Sequence, residues 1–120
     1  MNIKDLNQLS TGNIVFEHYG GHYEVETIHG SGFLDLRKPG CTATGRYAAT
    51  DVRFVILNAD WLTKFGYVQQ PWGWVKEGSP LINFAYHVEL GNGFRVNLLY
   101  VHQLQNLIRL TGKELTTATL

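Results

Sequence analysis

Ile14-Val15-Phe16-Glu17-His18-Tyr19-Gly20-Gly21-His22-Tyr23-Glu24-Val25 reads as two short strands folded back on one another. Ile14 to Phe16 is a run of β-formers. Tyr23, Val25 and Ile28 alternate with Glu24, Glu26 and Thr27, the period of a half-buried strand. Gly20-Gly21 between them supplies the positive φ angles that a tight hairpin needs. Working outward, Gly30-Ser31-Gly32 marks the next turn, and Phe33, Leu34 and Leu36 begin a third strand. Residues 38–50 are small, polar and glycine-containing and read as the longest loop, a common place for function. Val52 to Leu57 reads as a strand. Asn58 is placed to cap a short helix from Ala59 to Phe65, and Gly66 to end it. Gln69 to Trp74 reads as a turn. Leu81 to Leu90 and Phe94 to Leu98 read as a second hairpin about Gly91-Asn92-Gly93. A last helix runs from about Leu99 to Leu110, with Gly112 and a Thr-rich tail beyond it.

This order predicts a single α+β domain over residues 1–120. Its sheet is a bent antiparallel one or a small SH3-like barrel, with two short helices, the C-terminal one packed on the sheet. The length suits one domain with a core that needs no staples. The 44% hydrophobic and 17% charged content excludes a disordered chain. Ten basic residues balance ten acidic ones. That balance argues against a general nucleic-acid binder, which needs a basic excess. It also offers little self-repulsion, so a homo-oligomer is expected. No signal-peptide pattern and no membrane-length apolar run is present, so the expected location is cytoplasmic.

No catalytic pattern emerges, and the chain is expected not to be an enzyme. Ser10, Ser31 and Ser79 lack a motif that would activate them, and Cys41 is the only cysteine. His18, His22 and His29 read as surface residues about turns, because zinc needs three or four ligands and nothing completes the set. No metal or other cofactor is expected. Glu24 with Glu26 reads as a solvated strand face. Binding chemistry has better candidates. Arg46 follows Gly45 in the 38–50 segment, with Tyr47 beside it, and a guanidinium forks onto phosphate or carboxylate. Trp72 and Trp74 share a face if their segment is extended, with Lys76 on the same side; such a pair stacks on a base or covers an interface. His102, Gln105, Asn106 and Arg109 follow i, i+3, i+4, i+7 on the last helix. They form a polar stripe suited either to directional hydrogen bonds or to plain solvent.

Three segments resemble small uncharacterised proteins of bacteriophages and mobile elements of Bacteroidetes-type bacteria. They are Ser10 to Val15 with Gly21 to Val25, Ile56 to Tyr67, and Tyr100 to Leu107 with Leu110 to Leu115. The first also resembles an SH3-like opening. The resemblance implies an origin rather than a mechanism. Small phage proteins that sequester host immune nucleotides are one known class. The expectation is therefore a non-enzymatic binding protein that sequesters a small polar, nucleotide-derived ligand, acting in the cytoplasm of a bacterial host. The alternative is a protein-interaction module that inhibits a host defence protein through the Trp-rich hairpin.

Overall fold

The computed structural model describes residues 1, 3–91 and 93–110, and these divide into two compact units, one up to Val55 and one from Ile56 to Leu110. The fold class is α+β, as the sequence predicts.

The first unit is a five-stranded antiparallel sheet. A 3-10 turn, Ile3–Gln8, leads into β1 (Ile14–Glu17), β2 (Gly21–His29), β3 (Phe33–Arg37) and β4 (Thr44–Ala48). A second 3-10 turn, Ala49–Asp51, then feeds β5 (Val52–Phe54). The strands lie in the order β4-β3-β2-β1-β5. Along these strands Val15, Tyr23, Val25, Leu34, Leu36 and Val52 reach one face, where they bury with Leu6, Leu9 and Ala49. That is the alternation read from β2 and β3. A bulge interrupts it: Val25 pairs with Leu36 but Thr27 with Asp35, so β2 carries one extra residue there. Buried Asn13 fixes the entry to β1. Its Oδ1 accepts from the Ser10 amide at 2.7 Å, and its carbonyl accepts from the Val25 amide at 2.8 Å.

The β1–β2 turn has a specific holder. The buried carboxylate of Glu17 accepts from the Tyr19 amide at 3.1 Å and from the Gly20 amide at 2.5 Å. Gly21 sits at φ 90°, and a Cβ on Gly20 would meet the Tyr23 ring. Both glycines are therefore required, for different reasons.

Of the two sheet forms the sequence allows, the open antiparallel sheet is the one found: among the described residues β4 and β5 are its two edges and do not pair. One expectation for this unit needs correction: residues 38–50 are not one long loop. Thr44 to Ala48 pair with β3 in continuous register, from Arg37 with Thr44 to Phe33 with Ala48. An edge strand, half solvated, accepts the small polar residues that argued for a loop. What remains open is the turn at Lys38, where the Cys41 amide returns to the Lys38 carbonyl at 3.0 Å. The strand expected over Val52 to Leu57 stops at Phe54, and Ile56 instead forms a bridge with Tyr100 in the second unit.

The second unit opens with α1 (Ala59–Lys64). Asn58 Oδ1 caps it by accepting from the Trp61 amide at 3.0 Å, and Gly66 ends it at φ 92°. Lys76 Nζ then donates to the Phe65 carbonyl at 2.5 Å, satisfying an acceptor that the helix end leaves open. The hairpin β6 (Val68–Gln70) and β7 (Gly73–Val75) follows, then β8 (His87–Gly91), β9 (Phe94–Asn97) and α2 (Val101–Arg109). The strand expected from Leu81 begins only at His87. Ahead of it, Asn83 Oδ1 accepts from the amides of Ala85 and His87 and turns the chain, with Tyr86 at φ 57°. Gln103 Oε1 accepts from the amides of Leu99 and Tyr100 and so starts α2. Asn92 of the expected Asn-Gly turn, Gly112 and the Thr116 to Leu120 tail lie outside the described residues.

Candidate ligand groove

Arg46 and Tyr47 belong to the first unit; Trp72, Trp74, Lys76, His102, Gln105, Asn106 and Arg109 belong to the second. Arg46 projects from β4 but is engaged. Its Nε donates to Asp35 Oδ1 at 3.1 Å, and its other nitrogen lies 3.2 Å from His29 Nε2. His29 Nε2 lies 2.8 Å from the second oxygen of Asp35. Hydrogen bonds from His29 and then Arg46 hold the Asp35 carboxyl below its usual range. Tyr47 turns to the core side and donates to the Tyr23 hydroxyl at 3.4 Å; that bond, then burial, raises its pKa.

The tryptophans do not form a pair. Trp72 sits in the β6–β7 turn and is 63% exposed, whereas Trp74 is on β7 and only 6% exposed. The segment is not extended at Trp72, which removes the premise of a shared face. Gly73 between them is at φ 147°, and a Cβ there would lie 2.6 Å from the Ile82 carbonyl. Trp74 bridges Ile82 through both backbone bonds. Lys76 is held at the end of α1.

The polar stripe on α2 also needs correction. His102 and Gln105 are each only 1% exposed, while Asn106 and Arg109 are half-buried. His102 and Gln105 therefore lie on the buried side of the helix, while Gln103, Asn106 and Arg109 share a partly exposed face. Burial lowers the His102 pKa to about 4, and its ring stacks on Tyr100 with centroids 5.6 Å apart.

A groove on the first unit lies elsewhere. It is lined by Met1, Phe16, His18, Tyr19, Thr50, Asp51, Val52 and Arg53, and its volume is about 700 Å³. The register builds it. Phe16 on β1 pairs with Arg53 on the edge strand β5, and the His18 amide donates to the Asp51 carbonyl at 3.1 Å. The Arg53 guanidinium lies 4.4 Å from the Phe16 ring centroid, and His22 meets the same ring edge-on at 5.3 Å. Tyr19, at the tip of the turn held by Glu17, is 88% exposed and stands perpendicular to the His18 ring at 4.8 Å. The Met1 amine donates to the carbonyls of Ala49 and Val52 at 3.2 and 2.6 Å.

Arg53 differs from the other arginines of this sheet. Arg37 is paired with Glu24 at 2.9 Å and lies 3.7 Å from Glu26, and Arg46 is paired with Asp35. Among the described residues, Arg53 has no carboxylate within ion-pair distance. Its charge rests on an aromatic face and is open to solvent. Chemically the groove offers a guanidinium for an anion, aromatic rings for a planar group, and the Thr50 hydroxyl and Asp51 carboxylate as further polar partners.

Of the nine candidate residues read from the sequence, none lines this groove. From the sequence His18 reads as ordinary surface, and Phe16, Tyr19 and Arg53 as strand and turn residues. One signal was present: Arg53 is the only charge in the run Val52 to Leu57. Among the described residues, no group of three or more His, Cys, Asp and Glu side chains is placed to hold a metal ion, and no helix is long and apolar enough to cross a membrane. No family model, curated protein or solved structure matches the chain.

Proposed function

We propose that the chain is a non-enzymatic binding protein for a small, anionic, nucleotide-derived ligand taken in the β1–β5 groove. The observation that carries this reading is Arg53, a solvent-open guanidinium without a carboxylate partner among the described residues, seated on Phe16 beside exposed Tyr19. A phosphate needs such a cation, and a base needs an aromatic face. The groove volume falls within the range of small-molecule sites. Arg46, by contrast, would have to leave Asp35 before it met a phosphate. Calorimetric titration with adenosine monophosphate and 3′,5′-cyclic AMP tests the reading, with unchanged nucleotide recovered afterwards. Absence of heat with both, or hydrolysis of either, contradicts it.

A second reading, a protein-interaction module or inhibitor acting through the Trp hairpin, is favoured by Trp72. The ring stands 63% exposed at a turn, and Leu81 and Phe84 nearby in sequence are also exposed. Large aromatics of this kind anchor interfaces, including those between copies of one chain. Light scattering of the wild type and Trp72→Glu tests it. A concentration-dependent dimer lost in the variant supports this reading, and a monomer in both removes its self-association form.

A further inference from the structure

We infer that His18 is the second cation of the groove, so that anion binding there takes up a proton and strengthens as the pH falls. This inference rests on the groove being the ligand site. The argument starts from the register. Phe16 and His18 alternate along one chain segment, and Arg53 and Asp51 lie opposite them. All four line the same groove. Arg53 contributes one positive charge and Asp51 one negative, while the Met1 amine is turned to the carbonyls of Ala49 and Val52. A protonated imidazole adds a further positive charge beside Arg53 for a phosphate. Imidazole is the side chain that ordinarily changes charge between pH 5 and 8.

The geometry places His18 well for this task. Its side chain is exposed, so a proton and a ligand both reach it. The ring is braced edge-on against Tyr19, and the backbone is tied to Asp51. The turn that carries it is held by the Glu17 carboxylate, which faces the amides of Tyr19 and Gly20. A phosphate bridging Arg53 and His18 gives the imidazolium a negative partner, and that favours the protonated form in the complex. Proton uptake on binding follows by linkage.

The other groups around the site are accounted for. The charged and polar groups lining the site beside His18 are Asp51, Arg53 and Tyr19. Glu17 is committed to the turn, where it accepts from the Tyr19 and Gly20 amides. His22 stands edge-on to Phe16, and the Met1 amine donates to the carbonyls of Ala49 and Val52. Separate variants distinguish the His22 imidazole from that of His18.

The probe is 3′,5′-cyclic AMP, whose diester keeps a single charge across this range, so that any pH dependence belongs to the protein. Titrations run at pH 6.0 and 8.0, and at pH 7.0 in two buffers of different ionisation enthalpy. The expected result is several-fold tighter binding at pH 6.0 than at pH 8.0. Net proton uptake at pH 7.0 accompanies it. His18→Asn should lose most of the pH dependence and the uptake, whereas His22→Asn should keep both. Binding with equal affinity at the two pH values, or an unchanged pH dependence in His18→Asn, overturns the inference and leaves the groove as the ligand site. No heat at either pH overturns the inference and the ligand site together.

Discussion

The Arg53 guanidinium lies over the Phe16 ring, 4.4 Å from its centroid, on paired positions of β5 and β1. A cation held on an aromatic face keeps its hydrogen-bonding edge free. The sheet's other ionic contacts differ. Glu24 with Arg37 and Asp35 with Arg46 are closed pairs between neighbouring strands. Among the described residues, the charge pattern of one sheet thus separates residues that hold strands together from one that faces solvent without such a pair.

Glu17 should matter to stability and to the groove together. Its carboxylate is buried and accepts two turn amides. Glu17→Ala removes charge-assisted bonds and leaves those amides to find water, a cost of about 1.5–3 kcal/mol. Urea denaturation measures it. Nucleotide affinity should fall as well, since the same turn carries His18 and Tyr19. A loss below about 0.5 kcal/mol would mean that the turn holds itself.

The two hairpin tryptophans should part company. Trp74 is buried, so Trp74→Ala is expected to cost about 3–5 kcal/mol. Trp72→Ala should change stability by less than about 1 kcal/mol, because its ring is mostly in solvent. Gly73→Ala should be costly despite its small size, with φ at 147° and the Ile82 carbonyl in the way. Thermal or urea unfolding of the three variants checks the ranking Trp74 and Gly73 well above Trp72.

His102 predicts an acid-sensitive fold. Its folded pKa is about 4 against an ordinary 6.5, with burial as the cause. Above pH 6.5 the ring is neutral in both states and costs nothing. Between 6.5 and 4 the unfolded chain takes up a proton that the folded chain refuses, so stability falls as the pH falls. The loss reaches about 3 kcal/mol near pH 4. His102→Leu should flatten this part of the stability profile. An equal slope in the variant would assign the acid sensitivity to other groups.

The sequence disclosed elements whose causes are local. Gly20-Gly21, the Asn58 cap with Gly66, and the span of α2 each depend on residues a few positions apart, and each is found where the sequence puts it. What it hid depends on distant partners. Thr44 to Ala48 carries little strand character of its own and becomes β4 because β3 offers an edge. The α2 stripe misled because His102 and Gln105 are buried in spite of their polarity. Phe16 and Arg53 are far apart in the chain and meet only through the β1–β5 register. A lone charge inside an apolar run was the one legible trace of the groove.

The most direct test of the groove is calorimetric titration of 3′,5′-cyclic AMP into wild type, Arg53→Gln and Arg46→Gln. Arg53 is exposed and outside the ion pairs of the described residues, so its variant should keep the wild-type melting temperature. Losing a charge-assisted contact of about 1.5–3 kcal/mol weakens binding by roughly ten- to 150-fold. Arg46→Gln should bind within twofold of wild type. If Arg53→Gln binds as tightly as wild type, or Arg46→Gln is the variant that loses the ligand, the β1–β5 groove is not the site.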